Sequence, residues 1–484
     1  MAQDQPDSFR ESLARYSDVL TRKDIESILD NLEKPPIIGI RLNPLKGESQ
    51  ELVRELSLRY HWQLTPIPFC EHGWTLQNAD QFPGTTFDHR MGQFYIQDPA
   101  SMLPVSLFHM NEPHPLILDM ASSPGGKTTH MIDRTGDQGF IIANDASKSR
   151  ISALRAVLSS WGGINQIITQ YPGEAFGNWF PETFDYILLD APCSMENFRP
   201  TINHPMRETS QAERLRLQDR QIQLLRSGLS ALKIGGQLVY ATCSLSPEED
   251  EAVIDALYSD FSETFSIEDV SQKINLSAPG LTSFGSEIYN PDLIHAMRLW
   301  PHRTGMSGFF CALLTKIAPL QLTRITPPHR DFDRTGLQLI SGELEEQVLN
   351  QFTEQFGLAM EPILEDFKLD ILQRKDQLFL IPKRYLENFI SLPFDYIGMP
   401  LGRWLTDQLE PSHAFVSRFG HLFTQGKVII NEEIVSQWIA GRDIRYPNFT
   451  EEIKAQYVLV TDALGRNLGL GKVLPKRLRN MLPR

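Results

Sequence analysis

Between residues 115 and 245 the sequence alternates short apolar runs with segments that carry helical signals. Residues 115–120, 139–145, 184–194 and 235–244 are such runs, and each ends in polar side chains. Strands that alternate with helices predict βαβ units and an α/β fold with a parallel sheet. Ligands of open α/β sheets bind in the crevice outside the carboxyl ends of the strands. A functional site is therefore expected among the polar residues that end these runs.

Two of the runs bring a thiol to this predicted crevice. Cys193 follows Asp190 at the end of one run, and Cys243 follows Thr242 at the end of another. A single cysteine at a strand end is more often a small buried hydrophobic residue than a reactive one. Here two cysteines and a carboxylate converge on one edge of the sheet, which favours a chemical role for the thiols.

The residues that follow Cys243 in the sequence predict the start of a helix. Ser246 fits an N-cap, Pro247 a first-turn position, and Glu249 the acidic partner of a capping box. A helix amino end stabilises a thiolate, whereas the acidic residues 248–251 oppose one. The sequence therefore leaves the activation of Cys243 open.

Composition limits the class of protein. The 484 residues predict about three domains, and a net charge of −14 argues against indiscriminate nucleic-acid binding, which depends on many contacts between basic side chains and phosphates. Because the N-terminus lacks the features of a signal peptide and no apolar run is long enough to span a bilayer, we expect a cytoplasmic protein. The four cysteines form no CxxC pair, so we expect neither a metal site nor disulfides.

The segment 121–129, Ala-Ser-Ser-Pro-Gly-Gly-Lys-Thr-Thr, has two interpretations. A phosphate loop requires G-x-x-x-x-G-K-[ST], and Ala121 stands where its first glycine should be. A nucleoside-binding loop requires an acidic residue about 20 positions further on, at the end of the next strand, to hold ribose hydroxyls. Asp145 meets that requirement. The nucleoside interpretation is favoured, and a phosphate-loop NTPase stays as an alternative.

In their order and spacing, these motifs resemble the Sun-domain family of S-adenosylmethionine-dependent RNA cytosine-5 methyltransferases. The match covers residues 36–316. It rests on the segments Arg41-Leu42-Asn43, 92–101, Pro124-Gly125-Gly126-Lys127-Thr128, Asp190-Ala191-Pro192-Cys193-Ser194, Thr242-Cys243-Ser244, 248–251, 298–302 and 308–314. The resemblance implies S-adenosylmethionine as the cofactor and a Rossmann-like fold for the core.

The resemblance also implies roles for individual residues. Carbon 5 of cytosine is too weak a nucleophile to attack a sulfonium methyl group, so a thiolate first adds to carbon 6. Cys243 matches the family's nucleophile, Asp190 would hydrogen-bond the ring, and Cys193 would release the product. The expected cofactor-binding residues are Ala121, Ser122, Ser123, Pro124, Gly125, Gly126, Lys127, Asp145 and Asp190.

The sequence departs from the family pattern near the cofactor and in the loop after Cys193. Pro172 replaces the acidic residue that usually reads the adenine amino group, with Glu174 or a backbone carbonyl as the expected substitute. Met195-Glu196-Asn197 replaces Gly-Glu-Gly, Ser122 and Ser123 replace a small apolar pair, and Asp250 replaces Asn. None of these changes removes a reacting atom, so we expect an active enzyme.

The sequence outside the core predicts two flanking regions. We expect an N-terminal α+β RNA-binding module (1–110), a methyltransferase core (111–317), a Pro-containing linker (318–334) and a C-terminal mostly-β region (335–484). The last of these resembles the PUA-like RNA-binding domain of the subgroup that methylates small-subunit ribosomal RNA. Residues 466–484 contain six basic residues and no acidic one. The predicted RNA contacts are Arg41, Lys46, Arg298, Lys472, Lys476, Arg477 and Arg479.

The sequence therefore predicts a monomeric enzyme that forms 5-methylcytosine in 16S-type ribosomal RNA through a covalent Cys243 adduct. Transfer RNA is the alternative substrate. Two alternatives come from other classes of protein: a phosphate-loop NTPase, and a catalytically silent RNA-binding assembly factor that keeps the fold.

Overall fold

The N-terminal part of the chain forms a small α+β region. The computed structural model describes residues 13–32, 34–199, 209–275, 277–320, 324–445 and 455–483. Four antiparallel strands in the order β2-β3-β1-β4 pack on helix α2 through an apolar cluster that includes Ile40, Leu56 and Trp62. The elements of this region are α1 (Arg22–Leu32), β1 (Ile38–Leu42), α2 (Ser49–Tyr60), β2 (Gln63–Pro66), β3 (Gly73–Gln77), α3 (Phe87–Arg90), β4 (Phe94–Ile96) and α4 (Pro99–Ser106).

The central region alternates strands and helices, as the sequence predicts. Its elements are β5 (Leu116–Asp119), α5 (Gly126–Arg134), β6 (Phe140–Asn144), α6 (Lys148–Trp161), β7 (Gln166–Thr169), α7 (Phe176–Trp179), β8 (Phe184–Asp190), α8 (Gln211–Ala231), β9 (Leu232–Thr242), α9 (Glu251–Phe261), β10 (Phe265–Glu268), β11 (Ala278–Pro279), β12 (Ser283–Phe284), β13 (Glu287–Ile288), β14 (Met297–Leu299), α10 (Pro301–Thr304) and β15 (Phe309–Lys316). Strands β5 and β6 are buried throughout and apolar except for their last residues, Asp119 and Asn144, as expected for strands covered on both faces.

The sheet of this region defines where a ligand can bind. Five parallel strands follow the order β7-β6-β5-β8-β9, and antiparallel β15 and then β14 and β11 extend the sheet beyond β9. The chain runs outward from β5 to one side and from β8 to the other, so the strand order reverses between these two strands. Such a switch point opens a crevice at the carboxyl ends of the strands. The predicted Rossmann-like α/β core is confirmed.

The C-terminal region is mostly β, as predicted. Its described residues (335–445 and 455–483) form two five-stranded sheets, in the orders β16-β17-β18-β20-β21 and β22-β24-β25-β26-β23, while β19 joins the edge of the central sheet beside β7. Its elements are β16 (Gln338–Leu339), α11 (Gly342–Phe356), α12 (Glu361–Asp366), β17 (Leu369–Arg374), β18 (Gln377–Pro382), α13 (Lys383–Asn388), β19 (Tyr396–Ile397), β20 (Met399–Leu405), β21 (Gln408–Pro411), α14 (His413–Phe419), β22 (Lys427–Ile429), α15 (Glu432–Ile439), β23 (Ile444–Arg445), β24 (Tyr457–Thr461), β25 (Asn467–Leu474) and β26 (Arg477–Asn480).

The prediction that Arg41 contacts RNA is wrong. Its side chain is fully buried and forms an ion pair with Asp133, which is also buried. The guanidinium group donates to the carbonyl oxygen of Gly126 at 2.9 Å and lies 4.6 Å from the ring centre of Trp161. Because these partners occupy the guanidinium group, Arg41 fastens the N-terminal region to helices α5 and α6 and cannot reach a phosphate.

The predicted RNA contact of Lys46 is wrong for the same reason. Its Nζ atom donates to the carbonyl oxygens of Met91 and Ser160, both at 2.6 Å, and to Ser417 Oγ at 2.9 Å. Ser417 belongs to α14, so Lys46 joins the N-terminal, central and C-terminal regions.

Arg298 is likewise buried in the protein rather than exposed to RNA. It forms ion pairs with Glu251 and Asp250, and all three side chains are fully buried. The guanidinium group also donates to the carbonyl oxygen of Leu245 at 2.9 Å. Arg298 therefore compensates the charge of two buried carboxylates, and the prediction of an RNA contact is wrong.

The helix predicted directly behind Cys243 begins later than the sequence indicates. Residues 247–250 form a turn, and α9 starts at Glu251. Asp250, at the N-cap position, has the non-helical angles φ −114° and ψ −97°. Cys243 therefore does not lie at a helix amino end, and the acidic side chains of the turn point to separate partners.

Candidate active site

Cys193 and Cys243 lie side by side. Strands β8 and β9 are parallel neighbours in which Asp190 is opposite Ala241, so the loops that follow them leave the sheet at the same edge. The two Sγ atoms are 3.1 Å apart, and both side chains are half-buried. The structure thus brings together the two thiols that the sequence predicts at one edge.

The environment of Cys193 distinguishes it from its neighbour. The hydrogen bond with Cys243, burial, and the negative charges of Cys243 and Glu249 all raise the pKa of Cys193 well above its ordinary value. Burial and these neighbours thus favour the protonated form of Cys193.

Lys127 and Asp190 form an ion pair beside the thiols. Lys127 Nζ is 2.6 Å from Asp190 Oδ2 and 5.4 Å from the ring centre of Phe309. Burial lowers the pKa of Lys127, but the charge and hydrogen bond of Asp190 raise it by more, so the net shift is upward. A negative charge on Cys243 raises this pKa further. Lys127 therefore lies close enough to Cys243 for their charges to interact.

A cavity of about 210 Å³ opens next to this ion pair. The predicted cofactor-binding residues that line it are Ala121, Ser122, Ser123, Pro124, Gly126, Lys127 and Asp190. Gly125 is not in the lining, but its φ of +115° is one that L-residues rarely adopt, so it permits the turn of the loop into α5. A Cβ atom at Gly126 would lie 2.6 Å from the Tyr95 ring.

Asp119 makes the inner wall of the cavity polar. This side chain is fully buried; Thr128 Oγ1 donates to its Oδ2 at 2.6 Å, while its Oδ1 has no hydrogen-bond partner among the described residues. Burial raises the pKa of Asp119 to about 7. S-adenosylmethionine carries a primary ammonium group and ribose hydroxyls, so an unpaired carboxylate oxygen and a close-approach glycine loop fit this cofactor.

Asp145 has partners within the protein. It accepts hydrogen bonds from the backbone N–H groups of Ser123 at 3.2 Å and Ser147 at 2.8 Å, and it pairs with Arg150 at 3.0 Å. These contacts tie the glycine loop to the end of β6. The predicted contact of Asp145 with ribose hydroxyls stays a prediction.

Six residues of the cavity wall were not predicted as site residues from the sequence. Asp119 ends β5, and the other five come from the N-terminal region: Tyr95, Ile96, Gln97, Asp98 and Ser101. An acidic residue at the end of the first strand was a visible signal for Asp119. The other five lie in or next to a segment of mixed aromatic and amide residues whose position against the core depends on contacts such as the Arg41 ion pair.

The predicted substitute for the adenine-reading acidic residue is engaged elsewhere. Glu174 Oε1 lies 3.2 Å from Arg220 on α8, and neither residue lines the cavity. Neither Pro172 nor Glu174 therefore contributes a group to the cavity wall.

The four C-terminal basic residues of the prediction lie on one β-hairpin. Lys472 on β25 is opposite Arg479 on β26, and Arg477 is on the same face as Arg479 because alternate residues of a strand share a face. Lys476, Arg477 and Arg479 are exposed, and Lys472 Nζ donates to the hydroxyl of Tyr457 at 3.0 Å. Arg484 lies outside the described residues.

The phosphate-loop alternative does not agree with these contacts. Lys127 pairs with a carboxylate of β8, and the Thr128 hydroxyl donates to Asp119.

No group of three or more His, Cys, Asp or Glu side chains that could hold a metal ion is present in the part of the chain that the structure describes. Within that part, no helix has the length and apolarity needed to cross a membrane.

The parallel sheet has its switch point between β5 and β8, and an antiparallel strand extends it beyond β9. A glycine loop lies over a cavity that contains an unpaired carboxylate. Together these features define an S-adenosylmethionine-dependent methyltransferase. Two family descriptions match the sequence: "16S rRNA methyltransferase RsmB/F" over residues 107–315 and "N-terminal domain of 16S rRNA methyltransferase RsmF" over residues 6–99. The chain belongs to the RsmB/F family of RNA methyltransferases, which confirms the predictions of an RNA methyltransferase and of S-adenosylmethionine as its cofactor.

Similar proteins and structures agree with this assignment. The chain is 32% identical over 458 residues to ribosomal RNA small subunit methyltransferase F of Klebsiella pneumoniae (93% of this chain, 90% of that protein) and 30% identical over 465 residues to that of Aeromonas hydrophila (95% and 93%). A methyltransferase homolog from Pyrococcus horikoshii is 31% identical, with a TM-score of 0.55 over 63% of this chain and 94% of that one. NSun6 from Pyrococcus horikoshii shares the fold at 21% identity, with a TM-score of 0.53 over 65% and 98%.

Proposed function

We propose that this enzyme methylates carbon 5 of cytosine in small-subunit ribosomal RNA through a covalent bond between Cys243 Sγ and carbon 6. The observation that carries the proposal is the pair of thiols, 3.1 Å apart, at the sheet edge where Lys127 and Asp190 line the cofactor cavity. Methyl transfer to an oxygen or nitrogen atom requires no thiol, whereas transfer to carbon 5 requires prior activation of the ring.

Attack by Cys243 converts the cytosine ring into an enamine with a nucleophilic carbon 5. Lys127 favours the thiolate, and Asp190 hydrogen-bonds the ring at nitrogen 3 and the exocyclic amine. When bound, S-adenosylmethionine supplies the electrophilic methyl group. Asp119 and the loop 121–127 hold this cofactor, and Asp145 holds its ribose.

Cys193 completes the reaction by accepting the proton of carbon 5. The hydrogen bond with Cys243, then burial, then the charge of Cys243 raise the pKa of Cys193. Once Cys243 is bonded to carbon 6 it carries no charge, so its contribution to this shift ends and the Cys193 thiol becomes easier to deprotonate. The resulting thiolate removes the proton from carbon 5, and the bond between Cys243 and carbon 6 then breaks.

Ribosomal RNA is favoured as substrate because the relatives that match nearly the whole chain are named for small-subunit ribosomal RNA. The exposed hairpin with Lys472, Lys476, Arg477 and Arg479 supplies a basic surface on an acidic chain. We propose that this hairpin contacts RNA, that the regions 1–110 and 335–484 flank the core 111–317 as RNA-binding units, and that the enzyme acts as a cytoplasmic monomer.

Labelled methyl transfer tests the proposal. The enzyme is incubated with methyl-labelled S-adenosylmethionine and either small-subunit ribosomal RNA or transfer RNA, and the nucleosides are then separated. We expect label in 5-methylcytidine from ribosomal RNA, and none with Cys243→Ala. Label in transfer RNA alone would move the assignment to that substrate, and RNA binding without any transfer would identify a silent assembly factor.

A further inference from the structure

Glu249 connects the loop that carries Cys193 with the loop that carries Cys243. It lies in the turn that follows β9, and its side chain is fully buried. The carboxylate accepts hydrogen bonds from the Ser194 N–H group at 2.8 Å, the Ser194 hydroxyl, the Ser244 hydroxyl at 3.0 Å and the Gln221 side-chain amide at 3.2 Å. One side chain thus holds a residue of each loop.

The two serines are the residues that directly follow the two cysteines. Ser194 follows Cys193 and Ser244 follows Cys243, and the two hydroxyl oxygens are themselves 3.3 Å apart. A side chain that fixes both serines therefore also fixes the backbone on which the two thiols stand.

Further contacts hold Glu249 itself in place. The hydroxyl of Tyr240 on β9 donates to the backbone carbonyl of Glu249 at 2.5 Å, and Thr242 Oγ1 donates to Asp250 at 2.6 Å. Gln221 on α8 donates both to Glu249 and, at 2.9 Å, to the carbonyl oxygen of Pro192. The carboxylate is thus attached to the sheet and to a helix, not to a mobile loop.

We propose that Glu249 is a positioning residue that keeps Cys193 in contact with Cys243 and so couples the release of the RNA adduct to its formation. The catalytic part of this inference rests on the function proposed above, in which Cys193 must reach carbon 5 while Cys243 is bonded to the adjacent carbon 6. A displacement of about 1 Å at such a site reduces the rate by about 100-fold.

The charge of Glu249 has a second effect on the same thiol. It is one of the causes that raise the pKa of Cys193, and burial raises the pKa of Glu249 itself while its four hydrogen-bond donors oppose that shift. Glu249 thus affects Cys193 in two ways: it fixes the position of this thiol through Ser194, and its charge raises the pKa of the thiol. It fixes the position of Cys243 through Ser244.

The first test measures the spacing of the thiols without any reaction of RNA. Phenylarsine oxide condenses with two neighbouring thiols to give a cyclic dithioarsenite and one water molecule, with no change of oxidation state. Cys70 and Cys311 are 3% and 0% exposed, so the folded enzyme offers the pair Cys193 and Cys243 to this probe. We expect Glu249→Ala to weaken binding of the probe about tenfold, the effect of losing one hydrogen bond to a charged group.

Glu249→Gln is the matched control, because the amide keeps the length of the side chain and can pair with hydroxyls that rotate. We expect it to bind the arsenical as the wild type does, and Cys193→Ala to lose that binding. Unchanged binding by folded Glu249→Ala would overturn the proposal. If Glu249→Ala does not fold, Glu249→Asp takes its place with the same expectation, since the shorter carboxylate cannot reach both serines.

The second test separates positioning from a purely structural role. We expect Glu249→Ala to accumulate a covalent adduct on ordinary cytosine-containing RNA, with release slowed by about 100-fold relative to formation. Glu249→Gln should turn over without accumulation. A loss of formation and release by the same factor would show that Glu249 only supports the fold.

The two tests decide different claims, so a negative result in one does not determine the result of the other. If wild-type enzyme forms no adduct on any RNA, the proposed cysteine chemistry fails, while the arsenical titration still decides whether Glu249 sets the spacing of the thiols.

Discussion

Two groups of basic residues look alike in the sequence and differ completely in the structure. Arg41, Lys46 and Arg298 are buried, and each is held by carboxylates or carbonyl oxygens of the protein. Lys472 and Arg479 instead lie on the hairpin of β25 and β26, where Lys476, Arg477 and Arg479 are exposed. The first group joins regions of the protein, and the second lies at the surface, where Arg477 pairs with Asp443 at 3.3 Å and the hairpin can meet an anionic partner.

The difference shows that the location of a charge, rather than its presence, decides its role. A buried guanidinium group is tolerated only with partners that replace its hydration, and removing it leaves those partners uncompensated. An exposed basic residue contributes little to stability but can neutralise a phosphate. Substitutions in the two groups should therefore affect different measurements.

The largest effect is expected for Arg298→Met. The substitution leaves Glu251 and Asp250 buried without their counterion, which should lower the free energy of unfolding by about 3–5 kcal/mol. Urea unfolding measures it, and Arg303→Met, at an exposed position of α10, should change stability by less than about 0.5 kcal/mol. Equal stabilities of the two variants would refute the structural role of Arg298.

Lys46 should make stability depend on pH. Burial, and then the charge of Arg418, lower the pKa of Lys46 to about 7 in the folded protein, against about 10.4 in an unfolded chain. Because the unfolded state binds the proton more strongly, the free energy of unfolding of the wild type should rise relative to Lys46→Met between pH 7 and 9, by about 2 kcal/mol.

Urea unfolding at several pH values measures the dependence predicted for Lys46, with Lys34→Met as the exposed control. A difference between wild type and Lys46→Met that stays constant from pH 7 to 9 would mean that Lys46 keeps its charge in the folded protein.

The smallest effect on stability is expected for the hairpin. The triple variant Lys472→Ala/Arg477→Ala/Arg479→Ala should unfold within about 0.5 kcal/mol per substitution of the wild type. Its affinity for RNA should fall, and the slope of log K against log salt should decrease by about 2, since each contact with a single-stranded phosphate contributes about 0.7.

The control for the hairpin variant removes three other exposed basic residues, Arg334, Lys383 and Arg384. An equal loss of RNA affinity in both triple variants would indicate a general effect of net charge instead of a contact made by the hairpin.

The sequence predicted those features that depend on neighbours along the chain. The alternation of strands and helices placed Asp190, Cys193 and Cys243 at one edge, and the glycine loop placed the cofactor cavity. The role of Arg41 depends on Asp133, 92 residues away, and that of Glu249 on Ser194, 55 residues away. Such partners become neighbours only through the fold, so the sequence assigned Arg41 to RNA and Glu249 to a helix cap.

The division of labour between the two thiols can be tested with RNA that carries 5-fluorocytosine at candidate sites, because fluorine at carbon 5 cannot leave as a proton and traps the adduct. With S-adenosylmethionine present, the wild type and Cys193→Ala should form a complex that resists denaturant, and Cys243→Ala should not. Cys193→Ala should also accumulate an adduct on ordinary RNA. A trapped complex with Cys243→Ala and none with Cys193→Ala would show that the two cysteines have the opposite roles.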